Sequence, residues 1–393
     1  MLRNMQRRSF VAALTAASYQ RILGANDRVA LGVIGTGNRG QGVMGTFQKQ
    51  AGVEVRALCD VYGVKLDQAQ AKAPGAKTFY DHRKLLELKE LDAVLIATPD
   101  HWHEGTTIDA LEAGKDVYVE KPLTRRREEG PRIVRAARMS NRICQVGMQQ
   151  RSGEVYLEAK AKYFDTGRIG KVAHVRCVWN AEVPRALPVE PREKPSNLDW
   201  ARFLGPVKYR DWHPGQYANF RAFLDFGGGK MTDFGAHWID VVHMYLGVDA
   251  PEMVSASGGV FYAKDGRDAP DTITALYRYP GFTVQFESLA VTSGPEYGID
   301  FYGTEGRLFI NRQRAEFHPK EKGAPPEVLR SRWEPTTDHV RNFLECCRTR
   351  QRPRGDVAIG HRSAQACLLA VQSYQEKRTL HFDGIREEVL PLA

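Results

Sequence analysis

The feature that most constrains this chain is a glycine motif placed directly after an apolar run. Residues 29–34 form a short β-rich segment, and the chain continues as G-T-G-N-R-G from Gly35 to Gly40. A G-x-G-x-x-G sequence between a strand and a helix is typical of the first turn of a βαβ unit. Gly35 permits the tight turn, Gly37 allows close approach to the backbone, and Gly40 lets helix and strand pack closely. The motif therefore predicts an α/β sheet at the start of the fold.

Strand and helix patterns continue to alternate through the first 150 residues. Helical stretches at 106–113 and 130–139 separate short apolar runs. The further strand-like runs are 53–59, 93–97, 116–119 and 143–147. Strands that alternate with helices predict a doubly wound parallel sheet.

The pattern changes after residue 150, where strand-like runs follow one another with short turns. Such a succession predicts an α/β domain with a large, mostly antiparallel sheet. The predicted strands are 172–179, 254–262, 272–279, 282–288, 297–302 and 307–311, and the predicted helices are 154–166, 232–246, 338–348 and 359–375. We expect one domain over 27–150 and a second over 151–385, with the C-terminal helices as candidates to pack back on the first.

The first 26 residues read as a targeting segment. Arg7 and Arg8 form a twin-arginine pair, and a short apolar run follows from Phe10 to Ser18. This resembles a twin-arginine export signal, so we expect the protein in the periplasm or otherwise outside the cytoplasm. A frayed basic N-terminus, and hence a cytoplasmic protein, is the alternative.

Composition excludes several classes of partner. The net charge is +9, from 56 basic and 47 acidic residues, but the basic residues are spread along the chain and not interleaved with aromatics. This disfavours nucleic-acid binding. No window approaches the ~20 continuous apolar residues of a membrane span. The six cysteines include no Cys-x-x-Cys pair, so we expect buried thiols and no metal site.

A carboxylate after the second predicted strand indicates what the glycine loop binds. Asp60 follows Gly40 by twenty residues. The helix N-terminus behind such a loop binds a pyrophosphate, and a carboxylate at this spacing accepts ribose hydroxyls. Because Asp60 would repel the extra phosphate of NADP, we expect NAD as the cofactor. A glycine-rich turn in another kind of α/β protein is the alternative.

Polar residues at two further strand ends point to chemistry beside this cofactor. Thr98-Pro99-Asp100-His101-Trp102-His103 and Glu120-Lys121-Pro122 both lie where ligands bind in open α/β sheets. Farther on, Asp233 and His237 are four residues apart at a predicted helix start, so they should share one face. A carboxylate beside an imidazole orients it and raises its basicity, as a general base requires.

Glu120-Lys121-Pro122 together with Asp233-x-x-x-His237 resemble the Gfo/Idh/MocA oxidoreductase family, named for glucose-fructose oxidoreductase and inositol dehydrogenase. The resemblance covers residues 28–385. It implies a Rossmann domain followed by an α/β domain whose open sheet often mediates oligomers, so a homodimer or homotetramer is expected. It also implies that His237 takes the proton from a sugar hydroxyl, that Asp233 orients His237, and that Lys121 hydrogen-bonds the reacting oxygen.

One departure from the family pattern is Asp100, where members often have Asn. The cofactor contacts that we expect are Gly35, Gly37, Asn38, Arg39, Gly40, Asp60, Thr98, Asp100, His103, Glu120, Lys121 and Gln149. The candidate substrate contacts are Trp102, Arg151, Trp179, Asn180, His213, Tyr217, Arg221 and His237. For Trp179, stacking on a sugar and simple packing are both open.

Three functions remain open at this point. The first is an NAD-dependent oxidoreductase that acts on a CH–OH group of a sugar, sugar derivative or cyclitol. The second is a redox-neutral enzyme that cleaves glycosides by transient oxidation, elimination, hydration and reduction. The third is a non-enzymatic NAD-binding protein, which the set of Lys121, Asp233 and His237 argues against.

Overall fold

The computed structural model describes residues 28–180, 193–291 and 296–391. The expected export segment and most of the Pro-rich loop after residue 180 lie outside these ranges. Within them, no helix is both long and apolar enough to span a bilayer.

The first sheet has six parallel strands in the order β3-β2-β1-β4-β5-β6. Its strands are β1 (Val29–Ile34), β2 (Val53–Cys59), β3 (Lys77–Phe79), β4 (Ala93–Ile96), β5 (Asp116–Val119) and β6 (Cys144–Val146). Its helices are α1 (Asn38–Gln48), α2 (Gly63–Gln70), α3 (His82–Leu86), α4 (His103–Glu112) and α5 (Glu129–Ser140). This strand order is that of a Rossmann fold, as the sequence predicts.

The central strands of this sheet are buried on both faces. Every residue of β4 and β5 is buried. Parallel strands covered by helices on both sides read as continuous apolar runs, which is why the sequence located them. The edge strand β3 has three residues, two of them exposed, so it has no apolar run from which it could be predicted.

The second sheet has ten strands in the order β14-β13-β12-β11-β7-β10-β9-β8-β15-β16. Its pairs are antiparallel except β7 with β10. The strands are β7 (Val172–Val178), β8 (Met253–Gly259), β9 (Thr272–Tyr279), β10 (Phe282–Ser288), β11 (Gly298–Gly303), β12 (Gly306–Ile310), β13 (Arg314–Pro319), β14 (Glu327–Arg330), β15 (Leu380–Asp383) and β16 (Glu388–Val389). The helices are α6 (Glu154–Ala159), α7 (Trp200–Leu204), α8 (Pro214–Ala218), α9 (Gly229–Asp233), α10 (Gly235–Leu246), α11 (Pro335–Thr349) and α12 (Val357–Glu376).

One face of the second sheet is covered and the other is open. Along β9, Ile273, Ala275 and Tyr277 are buried, whereas Leu276 on the opposite face is 48% exposed. Helices α10 and α12 pack together over the buried face. The alternating burial is what antiparallel sheets with one solvated face show.

Helix α11 follows strand β14 of the second sheet but packs against the first sheet. The ring of Phe343 meets Phe47 at 5.9 Å and Tyr118 at 5.8 Å, in both cases edge to face. All three rings are fully buried. The chain therefore returns to complete the core of the Rossmann domain.

Candidate active site

Two adjoining cavities open at the carboxyl ends of the first sheet. The larger has a volume of about 590 Å³ and is lined by the glycine loop and by the ends of β2, β4 and β5. The smaller, of about 330 Å³, lies between that sheet and α9–α10. Arg39, Glu120, Lys121 and Arg221 line both cavities. Ligands bound in the two cavities would therefore adjoin each other.

The glycine loop has the geometry that its sequence predicts. Gly35 has φ +86°, in the left-handed region that glycine favours. A Cβ on Gly40 would lie 1.9 Å from the Gly35 carbonyl oxygen, so only glycine fits there. A Cβ on Gly37 would meet nothing within 4 Å, so this face of the loop is open towards the larger cavity.

Asp60 lies at the end of β2, beside this loop. One oxygen of its carboxylate accepts hydrogen bonds from the Thr36 N–H at 2.7 Å, and the other from the Tyr62 N–H at 3.0 Å. Burial raises the pKa of Asp60, and those hydrogen bonds oppose the rise. Each oxygen keeps acceptor capacity, which suits ribose hydroxyls.

Unpartnered polar atoms face the larger cavity at the end of β4. The Thr98 hydroxyl and both Asp100 carboxylate oxygens are buried, and no hydrogen bond reaches them from the described residues. Burial raises the pKa of Asp100, while Arg221 and His103 lower it. Buried polar atoms rarely stay unsatisfied, so these atoms fit a ligand rich in hydroxyl and amide groups. A nicotinamide dinucleotide has those groups.

His103, an expected cofactor contact, lies between two backbone carbonyls at the larger cavity. Its Nδ1 lies 2.7 Å from the Pro122 carbonyl and its Nε2 lies 2.9 Å from the Thr98 carbonyl. Both nitrogens are thus engaged by the backbone. His103 lines the larger cavity and fixes the two strand-end turns to each other.

In the smaller cavity, Lys121 is held by Asp233. Its ammonium donates to the Asp233 carboxylate at 2.7 Å and to the Asp233 carbonyl at 2.8 Å. The guanidinium of Arg221 also pairs with this carboxylate, at 3.1 Å. Burial alone would raise the pKa of Asp233, but Lys121 and Arg221 together lower it. The carboxylate therefore stays ionised beside two cations.

Asp233 and His237 have hydrogen-bond partners other than each other in the structure. The predicted helix over 232–246 is interrupted at Phe234, between α9 and α10. The Asp233 carbonyl accepts from Lys121, and the N–H of His237 donates to the Phe234 carbonyl at 3.1 Å. The Asp233 carboxylate binds Lys121 and Arg221, whereas the His237 ring contacts other residues.

His237 is held by two residues that are not among the expected cofactor or substrate contacts. Arg312 Nη2 lies 3.3 Å from His237 Nε2, and Gln150 Oε1 lies 3.1 Å from His237 Nδ1. Since arginine can only donate, Nε2 is the acceptor and the ring proton sits on Nδ1. Burial, and then the cations Lys121 and Arg312, hold the pKa of His237 well below its ordinary value. The ring is a neutral base with its lone pair on Nε2.

Trp179 forms a wall of the smaller cavity, at the end of β7. Its ring stacks on Phe234 at 4.8 Å and on His237 at 5.6 Å. The Arg312 guanidinium lies over the same ring, 5.1 Å from its centroid. The full lining is Arg39, Glu120, Lys121, Gln149, Trp179, Arg221, Asp233, Phe234, His237, Arg312, Glu334, Pro335 and Thr336.

The structure places two expected substrate contacts on the larger cavity instead. The Trp102 indole donates to the Arg202 and Phe203 carbonyls, each at 3.0 Å. The Tyr217 ring packs edge-on against Tyr62. Both therefore line the space that fits the cofactor. Gln149, expected at the cofactor, lines the smaller cavity and donates to Glu120.

Three other expected substrate contacts have structural partners away from the smaller cavity. The Arg151 guanidinium forms a buried pair with both oxygens of Asp240, each at 2.9 Å. The Asn180 side chain accepts from the Leu289 N–H at 2.8 Å. The His213 ring caps α8 by accepting from the Gln216 N–H. Of the substrate candidates, Trp179, Arg221 and His237 come together.

Arg312 is the residue of this cavity that sequence reasoning missed most clearly. It sits in the turn between β12 and β13, and Asn311 holds that turn by accepting from the Gln313 and Arg314 N–H groups. A lone arginine in a hairpin carries no motif. Its contact with His237 spans 75 residues of sequence, which no local pattern reports.

The described residues contain no cluster of three or more His, Cys, Asp or Glu side chains suited to a metal ion. All six cysteines are buried and free.

Sequence comparison identifies both domains. The first matches the oxidoreductase family with an NAD-binding Rossmann fold over residues 29–148, and the second matches that family's C-terminal α/β domain over residues 174–391. The chain belongs to the Gfo/Idh/MocA oxidoreductase family, and its Rossmann domain binds NAD.

Named relatives include two kinds of enzyme. Inositol 2-dehydrogenase 2 of Saccharopolyspora erythraea is 37% identical over 40% of this chain and 47% of its own length. A glycosyl hydrolase family 109 protein of Shewanella sp. (strain ANA-3) is 34% identical over 30% of this chain and 28% of its own length. The chain thus spans less than half the length of each of these two relatives.

A solved structure shares the fold of both domains. Levoglucosan dehydrogenase, in complex with NADH and levoglucosan, superposes with a TM-score of 0.73 at 19% identity and covers 90% of this chain and 99% of its own.

Proposed function

We propose that this protein oxidises a secondary hydroxyl of a sugar or cyclitol to a ketone, with NAD as the hydride acceptor. The observation that carries the proposal is a neutral imidazole, His237, with its Nε2 lone pair in a cavity that adjoins the cofactor cleft. The inositol dehydrogenase relative supports the substrate class. The cavity of about 330 Å³ has room for one monosaccharide.

Each polar group of the smaller cavity has a role in this reaction. Nε2 of His237 accepts the hydroxyl proton. Among the described residues, Lys121 Nζ donates to two acceptors, both on Asp233, so one of its three protons is left for the substrate oxygen. That contact stabilises the negative charge that develops on the oxygen as the proton leaves. Bound NAD supplies the acceptor for the hydride of the same carbon.

The first experiment follows NADH absorbance with inositols and monosaccharides as substrates. His237→Asn should lower kcat by roughly 10²- to 10⁴-fold, the range for loss of a general base. His381→Asn, an exposed histidine on β15, is the matched control and should leave kcat unchanged. Equal activity of the two variants would remove His237 from the mechanism.

A second candidate is redox-neutral cleavage of glycosides, and the glycosyl hydrolase relative favours it. In this reaction the same hydroxyl is oxidised transiently and reduced again, so one tightly held NAD suffices. Export by the expected twin-arginine signal would suit such a cycle, because free NAD is scarce outside the cytoplasm. Mass spectrometry of nucleotide released from undialysed, denatured protein separates the two. Near-stoichiometric NAD or NADH favours cleavage, and an empty protein favours the dehydrogenase.

A further inference from the structure

Among the described residues, the cations that line the smaller cavity are paired with carboxylates, with one exception. Arg39 pairs with Glu120 at 2.8 Å, and Lys121 and Arg221 share the Asp233 carboxylate. Arg312 has no carboxylate partner among the described residues, and its contacts are the neutral His237 ring and the face of Trp179.

The Arg312 guanidinium also has unused hydrogen-bonding capacity. Its Nε is buried and makes no hydrogen bond with any described residue. Arginine has five donors and no acceptor, so an acceptor is missing beside it. Glu334 lies at the rim of the same cavity, but it is exposed and forms no ion pair with Arg312 in the described part of the chain.

The position of Arg312 conflicts with the base that it contacts. Its Nη2 donates to the Nε2 lone pair that a substrate hydroxyl must use. The hydroxyl can bind His237 only if the guanidinium turns away or shares that lone pair. A substrate that offers Arg312 a better acceptor would release the base as it binds.

We propose that the substrate carries an anionic substituent, a carboxylate or a phosphate ester, and that Arg312 binds it. A guanidinium binds either group through paired hydrogen bonds and is always charged. The inference rests on the proposed oxidation at His237 and specifies its substrate class. An inositol has no such group, so the substrate differs here from that of the inositol dehydrogenase relative.

The test compares neutral sugars with counterparts that carry an anionic group at C6. The pairs are D-glucose with D-glucuronate, D-galactose with D-galacturonate, and D-glucose with glucose 6-phosphate. Binding to the NADH-loaded protein is measured by titration calorimetry, and kcat/KM is measured with NAD. We expect at least tenfold tighter binding and higher kcat/KM for one type of anionic member. The uronate and phosphate arms identify which anion is recognised.

The variants assign that preference to one side chain. Arg312→Gln should reduce the ratio of anionic to neutral binding at least tenfold, and Arg312→Lys should restore part of it. The matched control is Arg314→Gln, on the next strand, where the arginine pairs with Glu296 and Glu316 outside the cavity. This control should keep the wild-type ratio.

The possible outcomes are distinct. Equal binding of anionic and neutral members, no binding of any anionic member, or an unchanged ratio in Arg312→Gln would each overturn the inference. Preferential anion binding without NADH formation from any sugar would leave the inference standing and remove the proposed dehydrogenase function.

Discussion

The residues of this site differ from expectation chiefly in the partner of Asp233. Lys121 donates to both the carboxylate and the carbonyl of Asp233, at the point where α9 ends. The resemblance of the sequence to the family implied that Lys121, Asp233 and His237 act in one site. It could not predict the pairing, since Lys121 lies 112 residues from Asp233 and side-chain choice depends on tertiary contacts.

The first prediction concerns Asp233 as the residue that positions Lys121. Asp233→Asn removes the charge that holds the ammonium and Arg221, so kcat should fall roughly 10- to 100-fold. Steady-state kinetics on a responsive sugar measure the change. Asp225→Asn, which weakens an ion pair with Arg210 outside the smaller cavity, is the control. A loss no greater than that of the control would contradict the assigned role.

The second prediction is the pH dependence of the base. A histidine acts as a base only when neutral, and burial with Lys121 and Arg312 lowers the pKa of His237 well below its ordinary value. The acidic limb of kcat/KM should therefore lie below the pKa of a free histidine, ~6.5. A profile recorded between pH 5 and 8 checks this. A limb at or above 6.5 would mean that the ring is not in this environment during catalysis.

The third prediction tests whether Asp60 selects NAD by binding the ribose hydroxyls. Asp60→Ser removes the carboxylate beside Thr36, so we expect at least tenfold weaker NAD binding and improved relative binding of NADP. Fluorescence titration with NADH and NADPH gives both constants. Glu54→Gln, on the exposed face of β2, should change neither. An unaltered preference in Asp60→Ser would show that selection lies elsewhere in the cleft.

At the scale of elements, the sequence predicted the strands whose burial is visible as an apolar pattern. Apolar or strand-like runs located eleven strands, which are β1, β2, β4, β5, β6, β7, β8, β9, β10, β11 and β12. Strands β3, β13, β14, β15 and β16 were missed because they are short or carry many charged residues, and their pairing with neighbours defines them. Such pairing is tertiary information that a local window does not contain.

The fourth prediction uses two glycines of α1. Gly40→Ala places a methyl 1.9 Å from the Gly35 carbonyl oxygen, so the loop must move and NAD binding should be lost. Gly42→Ala meets nothing within 4 Å on the exposed side of the same helix. It should stabilise the protein by roughly 0.5–1 kcal/mol through helix propensity. Thermal melts with and without NAD compare the two. Tight NAD binding by Gly40→Ala would refute the close packing.

At the scale of the whole molecule, buried neutral histidines set the acid stability. Burial lowers the pKa of His101 and His339 to about 4, and that of His243 to about 3. Unfolding exposes these rings, so below pH ~6.5 the unfolded chain binds more protons than the folded protein. Each histidine thus gives stability that is complete above pH 6.5 and is lost as the pH falls towards the folded pKa.

The fifth prediction follows from the direction of this pH dependence. The free energy of unfolding should fall between pH 6.5 and about 4 by roughly 1.4 kcal/mol per pH unit for each such ring. Urea melts across this range measure the slope. His243→Phe should reduce the slope by the contribution of one ring. His381→Gln, at an exposed position, should leave the slope unchanged. An unchanged slope in His243→Phe would contradict the burial of that ring.

The return of α11 to the first domain has a consequence for synthesis on the ribosome. Phe47 and Tyr118 emerge early, yet Phe343, which covers them, is made only near the end of translation. We therefore expect the nascent Rossmann domain to expose an aromatic surface while the second domain is still being assembled. Arrested nascent chains ending before residue 335 should be sensitive to protease within the first domain, and full-length chains resistant. Helix α11 would thus also determine when the first domain completes its folding. Holdase chaperones would find the largest exposed aromatic surface before α11 is synthesised.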